Sequence, residues 1–239
     1  AIEDITPPTA TITLNDSALK AGDTATVTIT FSEAVSGFTN SDLTVSNGTL
    51  SAVSSSDGGI TWTGTLTPSS GVTAASNVLS VNLAGVQDAA GNTNDDGADA
   101  VLTAGANTLE LAIDTVLPTV AISGLPTNMK AGQTATIFFT FSEDPGTSFS
   151  WNGTTGDLAV SGGTLGSVSG TGLTRTGTFT PAPNISNGTA SISVIAASYQ
   201  DLAGNQGPSG LSPSLSIDTQ APTVISLSLT GANGAVNHH

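Results

Sequence analysis

The chain of 239 residues holds 18 Asp or Glu side chains against three basic ones, Lys20, Lys130 and Arg175, for a formal charge of -15. Three scattered cations cannot build the basic patch that a nucleic-acid backbone or an anionic membrane surface requires, which excludes both partners. With no cysteine, and with histidine confined to a terminal His238-His239 pair that reads as a tag remnant, disulfides, thiolate chemistry, a Ser–His–Asp triad and His-ligated metals are excluded as well.

In chain order, Asp4-Ile-Thr-Pro-Pro8-Thr opens as a proline-stiffened linker. Beyond it, apolar positions alternate with Thr or Ser at a period of two, and no window shows a helical stripe, so every element reads as a strand. Candidate strands cover 9–14, 24–32, 42–46, 49–55, 60–67, 77–87 and 107–113, the complement of an Ig-type sandwich. Asn47-Gly48 predicts a two-residue type I′ hairpin, and Gly162-Gly163 stands in the same place further on. Phe31, Trp62 and Leu66 are assigned to the core, whereas Trp151 is the one candidate for an exposed aromatic. No apolar run reaches the roughly 20 residues of a spanning helix, and no signal-peptide pattern opens the chain, which reads as a soluble piece of something longer.

Self-comparison then organises the chain. The linker recurs as Asp114-Thr-Val-Leu-Pro118-Thr and Asp218-Thr-Gln-Ala-Pro222-Thr, at spacings of 110 and 104 residues, the size of an independent domain. The run from Leu19 to Glu33, with Lys-Ala-Gly-Asp-Thr-Ala-Thr and Phe-Ser-Glu, returns from Met129 to Glu143. Asp42-Leu-Thr-Val matches Asp157-Leu-Ala-Val, and Asp88-Ala-Ala-Gly-Asn92 matches Asp201-Leu-Ala-Gly-Asn205. The expected architecture is all-β: two tandem seven-stranded Ig-like sandwiches over 1–113 and 114–217, with the first strand of a truncated third repeat and the tag remnant over 218–239.

Seven antiparallel strands alternate in direction, and this makes the acids positional. Asp4 precedes the first strand, Glu33 ends the second, Asp42 opens the third, Asp57 lies in the turn after the fourth and Asp88 ends the sixth. All of these fall at one pole. In the second repeat the same walk collects Asp114, Glu143, Asp157 and Asp201 around the linker, with Asp144 adjacent. Carboxylates gathered without Lys or Arg raise one another's pKa and destabilise the fold unless a cation compensates. Calcium suits an all-oxygen donor set, whereas magnesium keeps its waters and zinc wants nitrogen or sulfur. The metal candidates are therefore Asp4, Glu33, Asp42, Asp88, Asp114, Glu143, Asp157 and Asp201. A second tier holds Asp23, Asp57, Asn92, Asp96, Asn205 and Asp218. Asp96 belongs to an excursion, 92–99, whose alternating oxygens resemble the opening of an EF-hand loop. The alternative is that these acids solvate loop ends and cap turns. Turn chemistry likewise explains the Asn-x-Ser/Thr patterns at Asn47, Asn152, Asn184 and Asn187, and Lys20 and Lys130 occupy one equivalent surface turn rather than a Ser–Lys catalytic pair.

The linker, the Lys-Ala-Gly-[Asp/Gln]-Thr-Ala-Thr…Phe-Ser-Glu run, Asp-Leu-[Thr/Ala]-Val and Asp-x-Ala-Gly-Asn together resemble the tandem bacterial Ig-like repeats of giant surface adhesins exported by type I secretion. The resemblance implies calcium at domain junctions, an extracellular rod-like extender on a bacterial surface, and neighbouring repeats of the same chain as partners. The second repeat departs from the first in a five-residue insertion, at Phe149-Ser-Trp151-Asn-Gly-Thr-Thr-Gly before Asp157. A monomeric, non-catalytic extender is expected. A module contacting carbohydrate through Trp151 is the alternative, and a two-carboxylate glycosidase would need a cleft that acids recurring once per repeat do not suggest.

Overall fold

The computed structural model describes residues 3–93 and 108–226. The first repeat comprises β1 (Ala10–Leu14), β2 (Ala18–Lys20), β3 (Ala25–Phe31), β4 (Leu43–Val45), β5 (Gly48–Leu50), β6 (Ser54–Ser55), β7 (Thr61–Pro68), β8 (Thr73–Val81) and β9 (Thr108–Asp114). One sheet runs β1-β3-β7-β5, with β6 also on β7, and the facing sheet runs β2-β9-β8-β4. The second repeat comprises β10 (Val120–Ser123), β11 (Asn128–Lys130), β12 (Ala135–Phe141), β13 (Leu158–Ser161), β14 (Gly163–Leu165), β15 (Thr174–Pro181), β16 (Gly188–Val194), β17 (Gly210–Leu211) and β18 (Leu215–Asp218). Its sheets run β10-β12-β15-β14 and β11-β18-β16-β13, with β17 on β16. Both repeats are Ig-like sandwiches, as the alternating pattern predicts.

The alternation of β3, in which Ala25, Val27, Ile29 and Phe31 are buried and the intervening Thr residues face outward or lie half-buried, is the period-two signal seen directly. Each core is separate. Phe31, Phe38 and Trp62 stack edge-on in the first, as do Phe141, Phe149 and Tyr199 in the second, with Phe139 tilted against Phe149.

Several expectations are corrected. The candidate strand over 9–14 is β1, and a short strand outside every candidate range follows it: β1 pairs antiparallel with β3, then the chain crosses so that β2 lies parallel to β9, with Leu19 opposite Ile113 and Lys20 opposite Asp114. Asn15 and Asp16 make the crossing, their side chains accepting from the amides of Thr26 at 2.6 Å and Ala18 at 3.0 Å. The strand expected over 77–87 is β8, which starts earlier, bulges between Ala74 and Asn77, and ends at Val81. Asn47-Gly48 is no hairpin, because β4 pairs with β8 and β5 with β7, in opposite sheets. Asn47 does take the left-handed conformation (φ 55), and space is tight at Gly48, where a Cβ would stand 3.0 Å from the Thr67 carbonyl oxygen and 2.9 Å from Leu66 Cδ1. Beyond β18, residues 219–226 form no strand, and the remainder of the expected third-repeat strand lies outside the described residues.

Trp151 is 9% exposed and belongs to the second core, with its indole N–H donating to the Leu165 carbonyl at 3.1 Å. The insertion folds back through a turn in which Asn152 Oδ1 accepts from the amides of Thr154 and Thr155, and this aims Phe149 and Trp151 inward on the strand period. No helix among the described residues is long and apolar enough to cross a membrane.

Candidate metal centres

Two groups of acids converge, one per repeat: Asp4, Glu33 and Asp88, and Asp114, Glu143 and Asp201. In each group one carboxylate oxygen per residue lies within 4.8 Å of the others, a geometry that could hold a metal ion.

The two sites are built by the same local devices. The Asp-x-Ala-Gly-Asn loop closes on itself: Asn92 donates from its backbone N to Asp88 Oδ1 at 2.8 Å and from Nδ2 to Asp88 Oδ2 at 2.7 Å. Asn205 does the same to Asp201, at 2.9 Å and 2.9 Å. The left-handed glycine of the loop, Gly91 or Gly204 (φ 91 and 92), allows that closure. Each Asn also ties the loop to the linker, Nδ2 reaching the Asp4 carbonyl at 3.1 Å and the Asp114 carbonyl at 2.9 Å. Glu33 and Glu143 come from the Phe-Ser-Glu runs that end β3 and β12. The serine pins the linker in turn, Ser32 Oγ accepting from the Thr9 amide at 3.0 Å and Ser142 Oγ from the Thr119 amide at 2.8 Å. Three motifs distant in sequence thereby meet at one pole.

The electrostatics are those of like charges gathered together. Burial first, then Asp88 and Asp4, push the Glu33 carboxyl above its ordinary range. Burial first, then Asp114 and Asp201, do the same to Glu143. Asp88 is held below the usual carboxylate range, chiefly by the Asn92 side chain. Glu143 Oε1 is buried and, among the described residues, has no hydrogen-bond partner, a costly condition for a carboxylate oxygen unless something else satisfies it.

A family model of the bacterial Ig-like domain matches residues 4–104 and again 114–219. The chain belongs to the bacterial Ig-like domain family. No curated protein matches it. Among solved structures it is similar to the Yersinia pseudotuberculosis adhesin InvE, at 14% identity and a TM-score of 0.33 over 88% of this chain and 59% of that one. It is also similar to the ectodomain of mouse nectin-like molecule 4, at 11% identity and a TM-score of 0.35 over 91% and 67%. A third is the titin z1z2 pair solved with telethonin, at 15% identity and a TM-score of 0.28 over 92% and 100%.

The remaining candidates stand elsewhere in these bacterial Ig-like domains. Asp42 and Asp157 lie outside both three-acid groups. Asp42 Oδ2 accepts from the Thr39 amide at 2.7 Å, closing a capping box on the 3-10 turn Asn40–Asp42, and Asp157 Oδ2 accepts from the Ser150 amide. Asp57 caps its own turn through the amides of Ile60 and Thr61. Asp23 is held by Lys20 at 2.7 Å, in the turn opposite the first acid group. Asp218 ends β18 in register with Lys130, in the position that Asp114 holds on β9 against Lys20, and joins neither group. Asp96 lies outside the described residues.

Sequence reading missed Thr115 and Thr219, the residues after Asp in the linker motif. Both are buried. Thr115 Oγ1 donates to the Ser69 carbonyl at 2.8 Å and accepts from the Val72 amide at 3.0 Å. Thr219 Oγ1 does likewise with Ala182 and Ile185, at 2.6 Å and 2.9 Å. The recurrence of Asp-Thr was the available signal. Arg175, read as a scattered cation, is buried and staples the segment after β12 to the turn before β15 through Asp144, Gly146 O and Gly172 O.

Proposed function

We propose that the chain is a pair of non-catalytic extender repeats from a bacterial cell-surface adhesin, with calcium bound by the acid groups at the poles and stiffening the domain junction. One observation carries the reading: Glu143, whose buried Oε1 has no hydrogen-bond partner among the described residues, belongs to a group that includes Asp114, the residue that both ends the first repeat and opens the linker to the second. The donors are all oxygens with no imidazole or thiolate, which favours a hard cation. The ready supply of carboxylates, side-chain amides and carbonyls favours calcium over magnesium. Asp114, Glu143 and Asp201 would hold the ion at the junction, and Asp4, Glu33 and Asp88 would hold its counterpart at the free pole.

A cation there neutralises three mutually repelling carboxylates and binds only the folded arrangement, so it adds stability by linkage. Joining the linker residue to the second domain's loops also restricts the hinge. The test combines calorimetry, which counts ions, with small-angle scattering in calcium and in chelator. Ion uptake with a longer maximum dimension and a higher melting temperature is expected. Unchanged values on both counts would overturn the reading. Burial of Trp151 removes the observation that favoured a carbohydrate-binding alternative.

A further inference from the structure

The second domain's 200–206 loop abuts the Lys20–Asp23 turn of the first. Open clefts of about 530 Å³, lined by Lys20, Ala21, Leu117, Gln200 and Asn205 among others, and about 190 Å³, lined by Leu19, Asp114 and Leu202 among others, lie between them. Between the domains the Ala21 amide donates to Asn205 Oδ1 at 2.7 Å. Asn205 is 2% exposed, and its other polar atoms are committed to Asp201 and to the Asp114 carbonyl. One side chain thus touches the acid group, the linker and the preceding domain.

The partner turn is equally specific. Lys20 to Asp23 is a β-turn closed by the Asp23 amide on the Lys20 carbonyl at 3.2 Å, with Gly22 left-handed at φ 86, the signature of type II. Asp23 accepts from both the backbone and the ammonium of Lys20, and the Ala21 N–H points outward to Asn205. The Lys20 stem lies over the same loop, with Cδ at ordinary contact distance, 3.4 Å, from where a Cβ on Gly204 would stand.

Both halves recur on the outer ends of the chain. Asn92 makes the same inward bonds, to Asp88 and to the Asp4 carbonyl, at the free pole of the first repeat. Lys130 to Gln133 forms the same turn at the far end of the second, with Gln133 Oε1 taking the place of the Asp23 carboxylate on the Lys130 amide at 2.7 Å. We infer that the Lys-Ala-Gly-[Asp/Gln] turn and the Asn of Asp-x-Ala-Gly-Asn form a latch between successive repeats, through which the acid group and the domain angle are coupled. The occupant expected at Asn92 Oδ1 and at the Ala131 N–H is a further copy of this repeat. One hydrogen bond does not hold separate chains together, but it suffices between domains already tethered by a short linker, whose effective concentration is high. The inference rests on the extender reading only for the identity of that neighbour.

The test uses the whole chain, which has no native cysteine, spin-labelled at T65C and T178C on the exposed faces of β7 and β15. Interdomain distances are read by double electron–electron resonance in chelator and in calcium. Asn205→Ala should broaden the distribution in both conditions. Asn92→Ala, the same change at the free pole, should leave it as in the parent chain. Ala21→Pro removes only the donor N–H, at a position of a type II turn that accepts proline, and should broaden the distribution while the count of bound calcium stays that of the parent. An unchanged width in both Asn205→Ala and Ala21→Pro, or equal broadening by Asn92→Ala, overturns the latch. Absence of calcium uptake by the parent chain would instead sink the extender reading, and the comparison in chelator would still decide the latch.

Discussion

A carboxylate oxygen of Glu143 lies within 4.8 Å of one from Asp201, and the buried Oε1 of Glu143 has no hydrogen-bond partner among the described residues. Two like charges at that separation repel appreciably even after solvent screening. Glu143→Gln removes one charge and supplies an amide able to donate to either aspartate. In chelator the variant should therefore be more stable than the parent by about 1 kcal/mol in the second repeat. In calcium the order should reverse, because the parent gains about 2.7 kcal/mol when the ion stands at a hundredfold its Kd and the variant loses most of that gain. Melting curves in the two conditions check both signs. A variant less stable in chelator would show that Glu143 is stabilised by something other than a cation.

The two acid groups should not bind alike. Asp4 is exposed, whereas its counterpart Asp114 is half-buried at the end of β9 and held by Thr73 Oγ1 at 3.0 Å. A ligand already ordered loses less entropy on binding, so calorimetry should resolve a tighter junction class and a weaker polar class. Glu143→Gln should abolish the first and Glu33→Gln the second. A single class that either substitution halves would contradict the difference.

What the sequence disclosed depended on whether the deciding contact was local or repeated. The convergence of Asp4, Glu33 and Asp88, and of Asp114, Glu143 and Asp201, was legible because these acids recur at strand ends, and strand alternation fixes the pole of an end. Asp42 and Asp157 recur equally well, yet their carboxylates are taken by the amides of Thr39 and Ser150, a competition between local backbone and distant ligand that spacing does not reveal. Asn47-Gly48 carries a strong hairpin signal, but which sheet each flanking strand joins depends on β7 and β8, far along the chain. Asn205 reads as an oxygen donor from sequence, and its bond to Ala21 exists only once the two domains are placed end to end.

Thr115 offers a test of the linker motif apart from any ion. Thr115→Val keeps the shape but strands the Ser69 carbonyl and the Val72 amide that its hydroxyl satisfies. A buried polar group left without its partner costs about 1–3 kcal/mol. Urea unfolding of the first repeat should shift by that amount at unchanged m-value, and Thr219→Val should do the same to the second. A shift confined to calcium-loaded samples would mean that the threonine acts through the metal site instead.

Asp57 gives the pH dependence. Its carboxylate accepts from the Thr61 amide, the Ser55 hydroxyl and the Ile60 amide, which together lower its pKa from 3.8 to about 2. A carboxyl with a depressed folded pKa stabilises above its unfolded value and loses that contribution as pH falls through the folded one. Asp57→Asn should therefore melt below the parent at pH 7, with the gap closing between pH 3.8 and about 2. A gap that persists at the acid end would assign the effect to shape rather than charge.

Trp151 separates a core role from a binding role. Its ring is buried with Phe149 in the second core and its N–H is bonded to Leu165, so Trp151→Ala should destabilise the second repeat by about 3–5 kcal/mol, as large-to-small core changes do. Trp151→Phe retains most of the packing and loses only the indole donor, for about 1 kcal/mol. A ring that served a sugar would give the opposite ranking of readouts: little change in melting for either variant and a loss of glycan binding for Trp151→Ala. Unfolding of both variants with a glycan array run alongside distinguishes the two, because a ring that is 9% exposed and bonded through its N–H to the Leu165 carbonyl has little face to offer a sugar.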